Sequence, residues 1–316
     1  MSQYTVLNTQ DIKSIIGNYS DASITSFDIL HGGEENTNYL VATSVGKYVL
    51  TISENKSKKT ALVLAQLLEH LNNNGIRTSN IVRTVDDELI TVWQGKPIIL
   101  KEFIEGEIIK DLSNDLLVLI GEEMGKLHKI DSPDYLTDSH NYGLGMLLEV
   151  DQYESDEGLQ SWFNDMYLYI SKYISEDLPK SVIHSDLFWN NIIVEPSGKD
   201  GVKPFAILDF EEAGYYYRVF DIGMAIVGLC SDNRMIDLSK AKSFLQGYQK
   251  EIQLEDIECK ALKPFVVFTA TVTACWRHKQ FNYMYPTPAK KSFYKLMKDL
   301  ADNTKSLPDS CLTELL

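Results

Sequence analysis

Cysteine is scarce and late in this chain: the 316 residues hold four, Cys230, Cys259, Cys275 and Cys311, and none earlier. No two form a C-x-x-C pair, which argues against a disulfide framework or a thiolate zinc site and fits a reducing cytoplasm. Basic residues are outnumbered, 30 Lys and Arg against 45 Asp and Glu, for a formal charge of −15 and a pI near 4.8. Phosphate backbones and anionic membranes are held through clustered Lys and Arg, so no nucleic acid and no membrane is expected as a partner. Long apolar runs are missing too. The longest, around Phe265–Trp276, is broken by Thr and ends at Arg277 and His278, which predicts a buried helix rather than a membrane span. The first residues, MSQYTVLNTQDIKSIIG, have neither a basic start nor a long apolar core, so no signal peptide is expected. No internal repeat or low-complexity segment interrupts the sequence.

What is present is a globular composition, 44% hydrophobic and 24% charged, long enough for one large domain or two packed lobes. Residues 1–104 are strand-rich. A helix is expected near Thr9–Gly17, then extended runs at Ser23–Leu30, Asn38–Thr43, Tyr48–Ser53, Ile81–Thr84, Leu89–Val92 and Pro97–Phe103. Among them Ser57–Asn73 reads as a helix, with Leu64, Leu67, Leu68 and Leu71 on one face. From Glu105-Gly106 onward the pattern turns helical. Ser113 can cap a helix reaching about Ile130, and further helices are predicted near Leu159–Ser175, Asp221–Cys230, Ser239–Gln253, Asp256–Gln280 and Ala289–Asn303. Inside this helical half, Asn191–Glu195 and Pro204–Phe210 form an extended pair joined by the turn-rich PSGKDG, a hairpin by its turn chemistry.

The chemistry concentrates in VIHSDLFWNN, residues 182–191, followed by ILDFE at 207–211. Phosphoryl transfer needs a carboxylate facing the incoming hydroxyl, and oxygen ligands that hold Mg²⁺ against phosphates on rigid backbone. Asp186 on a loop, Asn191 where the chain enters a strand and Asp209 at the end of the return strand supply those groups, and Mg²⁺ favours such hard oxygen donors. His184-x-Asp186-x₄-Asn191 with Asp209 resembles the signature of the aminoglycoside phosphotransferase and choline kinase superfamily, relatives of the protein kinases. The resemblance implies an α+β, two-lobed protein-kinase-like fold. Its parts would be a small antiparallel-sheet N-lobe, residues 1–104, and a larger, mainly helical C-lobe, residues 105–316. It implies Asp186 as catalytic base, Asn191 and Asp209 as metal ligands, His184 and Asp221 as supports of the catalytic loop, and ATP and Mg²⁺ as cofactors.

By the same resemblance, residues 31–39 (HGGEENTNY) sit where the family folds a phosphate loop over ATP, which places Gly33, Asn36, Thr37 and Asn38 beside the nucleotide. ILKEFIEG at 99–106 resembles the hinge, with backbone at Glu102 and Ile104 for adenine, and MGKLH at 124–128 resembles a family helix in which His128 reads as packing. One departure matters. Many relatives carry a strand lysine for the α/β-phosphates, paired with a helix glutamate. Here that position holds Thr51, the acid of the following helix, Glu69, is expected to face water, and Lys47 and Lys101 are the possible substitutes.

A threonine-like residue at that position, with GENTNYLV-like and HSDLFWNN-like segments, is similar to the homoserine kinase branch of this fold. The resemblance implies a small alcohol as acceptor, L-homoserine first. Arg277 could meet its carboxylate, Glu211 its ammonium, and Tyr215 could wall the site. Glu211 could equally be a third metal contact or a member of a buried ion pair. A choline, amino-alcohol or aminoglycoside phosphotransferase is the alternative. A nucleotide-binding regulator without turnover is a third reading.

Overall fold

The computed structural model describes residues 5–30, 36–138, 140–154, 156–195 and 205–316. In chain order the elements are α1 (Thr9–Ile16), β1 (Ile24–Leu30), β2 (Asn36–Thr43), β3 (Lys47–Ser53), α2 (Lys58–Asn73), β4 (Thr91–Trp93) and β5 (Lys96–Glu102). Then come α3 (Asn114–Leu127), the short α4 (Gly145–Leu148), α5 (Glu157–Ile170), β6 (Lys180–Ile183), β7 (Ile192–Val194), β8 (Phe205–Ile207) and β9 (Gly214–Tyr217). The last helices are α6 (Arg218–Leu229), α7 (Leu238–Tyr248), α8 (Asp256–Lys279) and α9 (Tyr294–Ser306). This is an α+β protein-kinase-like fold with an antiparallel five-stranded sheet and a mainly helical remainder. Among the described residues no helix is long and apolar enough to cross a membrane.

Residue contacts separate two units, Met1–Glu107 with Ile193–Glu211, and Ile108–Ile192 with Glu212–Leu316. In the first, the sheet order is β1-β2-β3-β5-β4. Period-two alternation sends Tyr39, Val41, Leu50, Ile52, Ile98 and Leu100 to one face, where they pack on Ile12, Ile15 and Ile16 of α1. Each fully buried isoleucine there is worth about 1.5–3 kcal/mol relative to an exposed one. The helix is short, and a reciprocal capping box between Asn8 and Asp11 fixes its start. Ile99 points the other way, toward Ala61 and Ala65 of α2. The α2 helix starts from the Ser57 cap and buries Leu67, Leu68 and Leu71, with Leu64 only partly covered.

Local signals placed most elements within a few residues, with two exceptions in this unit. Ile81–Thr84 is not a strand. Only Ile81 bridges to Lys101, with Val82 N–H donating to Leu100 and Glu102 N–H donating to Asn80, so this segment merely edges β5 beyond β4. The run at Leu89–Val92 is displaced toward Trp93 because Leu89 and Ile90 are drawn into the cluster under α2. The hairpin β7–β8 forms, but residues 196–204, which include its turn, lie outside the described residues.

The hairpin segment was expected within the helical half, yet 193–211 clusters with the sheet unit. Three contacts account for this. Glu107 and Val194 bridge backbone to backbone, Ile207 N–H donates to the Arg77 carbonyl, and Arg77 pairs with Glu195. Gly106 permits the approach, since a Cβ there would stand 2.4 Å from Ile193 Cγ2 and 2.7 Å from the Val194 carbonyl oxygen.

In the second unit, α3 packs on α7, and α8 packs on α6 and α9. The apolar stretch read from the sequence is the middle of α8, buried as expected from Phe265 to Cys275. The pair β6–β9 runs antiparallel with Ile183 opposite Gly214, and it delivers the chain into the His184 loop.

Candidate active site

In the helical unit, β6 ends at Ile183 and the chain turns sharply through His184, Ser185 and Asp186. Ser185 sits at φ 74°, a left-handed conformation that costs a non-glycine residue energy unless its surroundings hold it there. They do. Asp221, fully buried in the first turn of α6, accepts the His184 amide at 2.9 Å and the Ser185 amide at 2.6 Å. The His184 ring accepts the Asp186 amide through Nδ1 at 3.1 Å. Gly228 lets α6 close on the loop, because a Cβ there would lie 2.2 Å from the Leu187 carbonyl oxygen.

Burial by itself would raise the Asp221 pKa. The hydrogen bond and charge of His128, with the charge and amide of His184, outweigh it and hold the carboxyl below its ordinary value. His128 Nε2 lies 3.1 Å from Asp221 Oδ2, and its Nδ1 lies 2.8 Å from the Tyr248 hydroxyl. An ionised carboxylate can only accept, so Nε2 carries a hydrogen and donates to Asp221, while Nδ1 shares the other hydrogen bond with the Tyr248 hydroxyl. His128 was read as packing; it is a polar link from α7 to the carboxylate that carries the loop.

Asn191 closes a single 3₁₀ turn, Trp189–Asn191, and is buried. Its Nδ2 donates to the Asp186 carbonyl at 2.8 Å and approaches Asp186 Oδ2 at 3.3 Å. With its NH₂ so engaged, the amide presents Oδ1, the atom a hard cation takes. That fits Asn191 to Mg²⁺, as does the carboxylate of Asp209. Among the described residues no three His, Cys, Asp or Glu side chains converge.

His140 was not singled out by sequence and lies against this loop. Its Nε2 is 2.5 Å from Ser185 Oγ, and its ring packs against Tyr216 and Phe220 at centroid distances of 4.8 and 5.0 Å. Burial lowers its pKa to about 4, with the nearby Asp221 charge a smaller opposing influence. Since the folded protein resists protonation that the unfolded chain accepts near 6.5, stability falls as pH drops from about 6.5 toward 4. We expect a loss on the order of 2 kcal/mol at pH 5 relative to pH 8, measured by urea unfolding. His140→Gln keeps a donor for Ser185 but does not titrate, so it should lose that part of the slope; an unchanged slope would exclude His140 as its source.

In the sheet unit, Asp209 is exposed at φ 64° just past β8. Glu211, two residues on, is held by Lys56 and by Asn36 Nδ2. This favours the ion-pair reading of Glu211 over an ammonium receptor. Lys101 stands near the same acids. Burial lowers its pKa, and Glu211 and Asp209 act against that. Asn36 Oδ1 is buried with no hydrogen-bond partner among the described residues. Turning the amide over would set its oxygen against Glu211, so the orientation is fixed by that carboxylate. A buried acceptor left open costs about 1–3 kcal/mol.

Asn38 and Thr51 face each other across β2 and β3, the Thr51 hydroxyl donating to Asn38 Oδ1 at 2.7 Å. Thr37 must be corrected. Alternation turns its fully buried side chain to the opposite face, where its hydroxyl is spent on Glu54, itself paired with Lys96. Its side chain is therefore no part of a nucleotide site on the Asn36–Asn38 face. Gly33 lies outside the described residues. The Glu102 amide already donates to Asn80, so a ligand there has its carbonyl to use; Ile104 follows β5. Glu69 pairs with Arg83 on the half-exposed surface of α2, and Lys47 pairs with Glu105 in solvent. Tyr215 is half-buried in β9 opposite Val182, and Arg277 stacks over Phe293 at 4.0 Å in the last turn of α8.

Curated relatives include the homoserine kinase of Zymomonas mobilis subsp. mobilis, 27% identical over 270 residues and covering 82% of each chain. That of Agrobacterium fabrum is 25% identical over 273 residues, covering 83% of this chain and 82% of its own. Among solved structures, an amicoumacin kinase in complex with AMP-PNP and Ca²⁺ superposes with a TM-score of 0.73 at 16% identity, covering 94% of both chains. A microcompartment-associated aminopropanol kinase gives 0.70 at 16% identity, covering 98% of this chain and all of its own. The family model described as the phosphotransferase enzyme family, APH, matches residues 27–254, a stretch that holds both the Asp186 loop and the Asp209 segment, and the chain belongs to that family.

Proposed function

We propose that this protein is a cytoplasmic kinase that transfers the γ-phosphoryl group of ATP to the side-chain hydroxyl of a small alcohol, with L-homoserine the first candidate. The observation that carries the reading is the Asp186 loop, in which the carboxylate rides on backbone fixed by Asp221 and His184. Such preorganisation is what a base needs to meet a hydroxyl without rearranging.

In this mechanism Asp186 orients the acceptor hydroxyl and takes its proton as the oxygen bonds to the γ-phosphorus. The bond from that phosphorus to the β–γ bridging oxygen breaks, ADP leaves with the electron pair, and Asp186 returns the proton to solvent. Asn191 and Asp209 would hold Mg²⁺, which when bound screens the phosphate charge. Asn36, the Asn38–Thr51 pair, the Glu102 carbonyl and the Ile104 backbone are the proposed nucleotide contacts. Tyr215 and Arg277 are proposed for the acceptor, Arg277 for its carboxylate. Homoserine is preferred over choline, amino alcohols and aminoglycosides because homoserine kinases match over four-fifths of the chain, and because Thr51 stands where the resemblance puts the strand lysine.

The test is ATP consumption with homoserine, choline, ethanolamine, methylthioribose and aminoglycosides, with product mass determined. Homoserine should support turnover on the order of 1–100 s⁻¹. Faster turnover of another alcohol would reassign the acceptor, and no consumption with any of them would favour a binding protein.

A further inference from the structure

The sheet unit has a charge problem to solve. The chain carries −15, Asp209 and Glu211 stand close together in sequence, and Thr51 brings no cation to β3. Its lysines divide clearly. Lys47 is tied to Glu105 in solvent and Lys96 to Glu54. Lys56, just past β3, is instead paired with Glu211, each side chain 18% exposed. Lys101 lies on β5 opposite Val49, and so on the sheet face that Thr51 occupies, where Asp209 and Glu211 act on it.

We infer that Lys56, positioned by Glu211, is the phosphate-binding lysine of this protein, so that the lysine–glutamate pair usually built between strand and helix is rebuilt between the β3–α2 corner and the segment after Asp209. The inference rests on the ATP-dependent reading above and adds to it the cation that the sequence lacks at Thr51. Glu211 is held on one oxygen by Asn36 and on the other by Lys56, and the pair is only partly exposed. An ammonium has three donors, so it can keep its carboxylate and still give hydrogen bonds to phosphate oxygens. The open Asn36 Oδ1 sits on the same carboxylate, in the strand that follows the glycine pair, and marks the cluster as one donor short. A ligand hydroxyl or a metal-bound water would supply that donor. Lys101, on the same sheet face as Thr51, stands as a second cation beside these acids.

The test is calorimetric titration of wild type and Lys56→Met with Mg·ATP, Mg·ADP and adenosine, with thermal unfolding as a check on folding. Removing a charge-assisted contact should weaken Mg·ATP about 10- to 100-fold while adenosine stays within about twofold, and Lys56→Arg should recover most of the loss. A Lys56→Met protein that keeps the wild-type ratio of ATP to adenosine affinity overturns the assignment and leaves the kinase reading standing. A wild type that binds ATP no better than adenosine removes both. Should Lys56→Met fold poorly, amine labelling of wild type decides: Lys56 should be protected by Mg·ATP and not by adenosine, and equal labelling in the two overturns the inference.

Discussion

Asp186→Asn should fold, bind Mg·ATP near wild-type affinity and lose about 10²–10⁴-fold in turnover. The substitution is nearly isosteric, and the backbone hydrogen bonds of this residue are unchanged by it. The Asp186 amide still donates to His184 Nδ1, and its carbonyl still receives Phe188 N–H at 3.0 Å and Asn191 Nδ2 at 2.8 Å. What disappears is the oxygen able to take a proton. A carboxamide cannot serve as base, although its oxygen can still receive the Asn191 NH₂ that now approaches Oδ2. Steady-state kinetics, nucleotide titration and thermal unfolding together separate these effects. Activity within tenfold of wild type would exclude Asp186 as the base.

Asp221→Asn should do the largest damage to stability, about 3–5 kcal/mol by urea unfolding, and should lower turnover with it. The carboxylate is fully buried and serves three donors, the amides of His184 and Ser185 and His128 Nε2. An asparagine oxygen can keep Ser185. The NH₂ then faces the His184 N–H and His128. The histidine can adapt by moving its proton to Nδ1 and donating to Tyr248, but the backbone amide has no such freedom, so one buried donor is left against another. The wild-type carboxyl, with its pKa lowered in the fold, contributes above the ordinary carboxyl range, and that contribution is lost as acid brings pH down through the folded value. The variant should lack this acid step. A loss under 1 kcal/mol would show that the loop holds its shape without the anchor.

What the sequence made legible is what is local. Alternation and caps give β1 to β3, α2 and α3 to within a few residues because Ser57 and Ser113 mark helix starts by hydrogen bonds made three residues away. The Asp186–Asn191 contact is legible for the same reason: five residues and one 3₁₀ turn fix it. His140 carries no periodic signal, and its bond to Ser185 spans 45 residues. Lys56 stands in the polar run ENKSKK, where nothing local separates it from Lys58 or Lys59, and its partner is 155 residues ahead. Thr37 departs from its neighbours because alternation in β2 puts Asn36 and Asn38 on one face and Thr37 on the other, against Glu54.

The placement of 193–211 with the sheet has a consequence for how the chain is born. The polypeptide passes between the two units three times, after Glu107, after Ile192 and after Glu211. A ribosome that has released only residues 1–107 has made five strands and two helices, yet the acids that partner Lys56 and Arg77 and the strand that lies on Gly106 are still unsynthesised. The N-terminal unit therefore cannot be completed vectorially, and expression of residues 1–107 alone would leave the Glu107 backbone without its bridge to Val194 and Lys56 and Arg77 without their carboxylates.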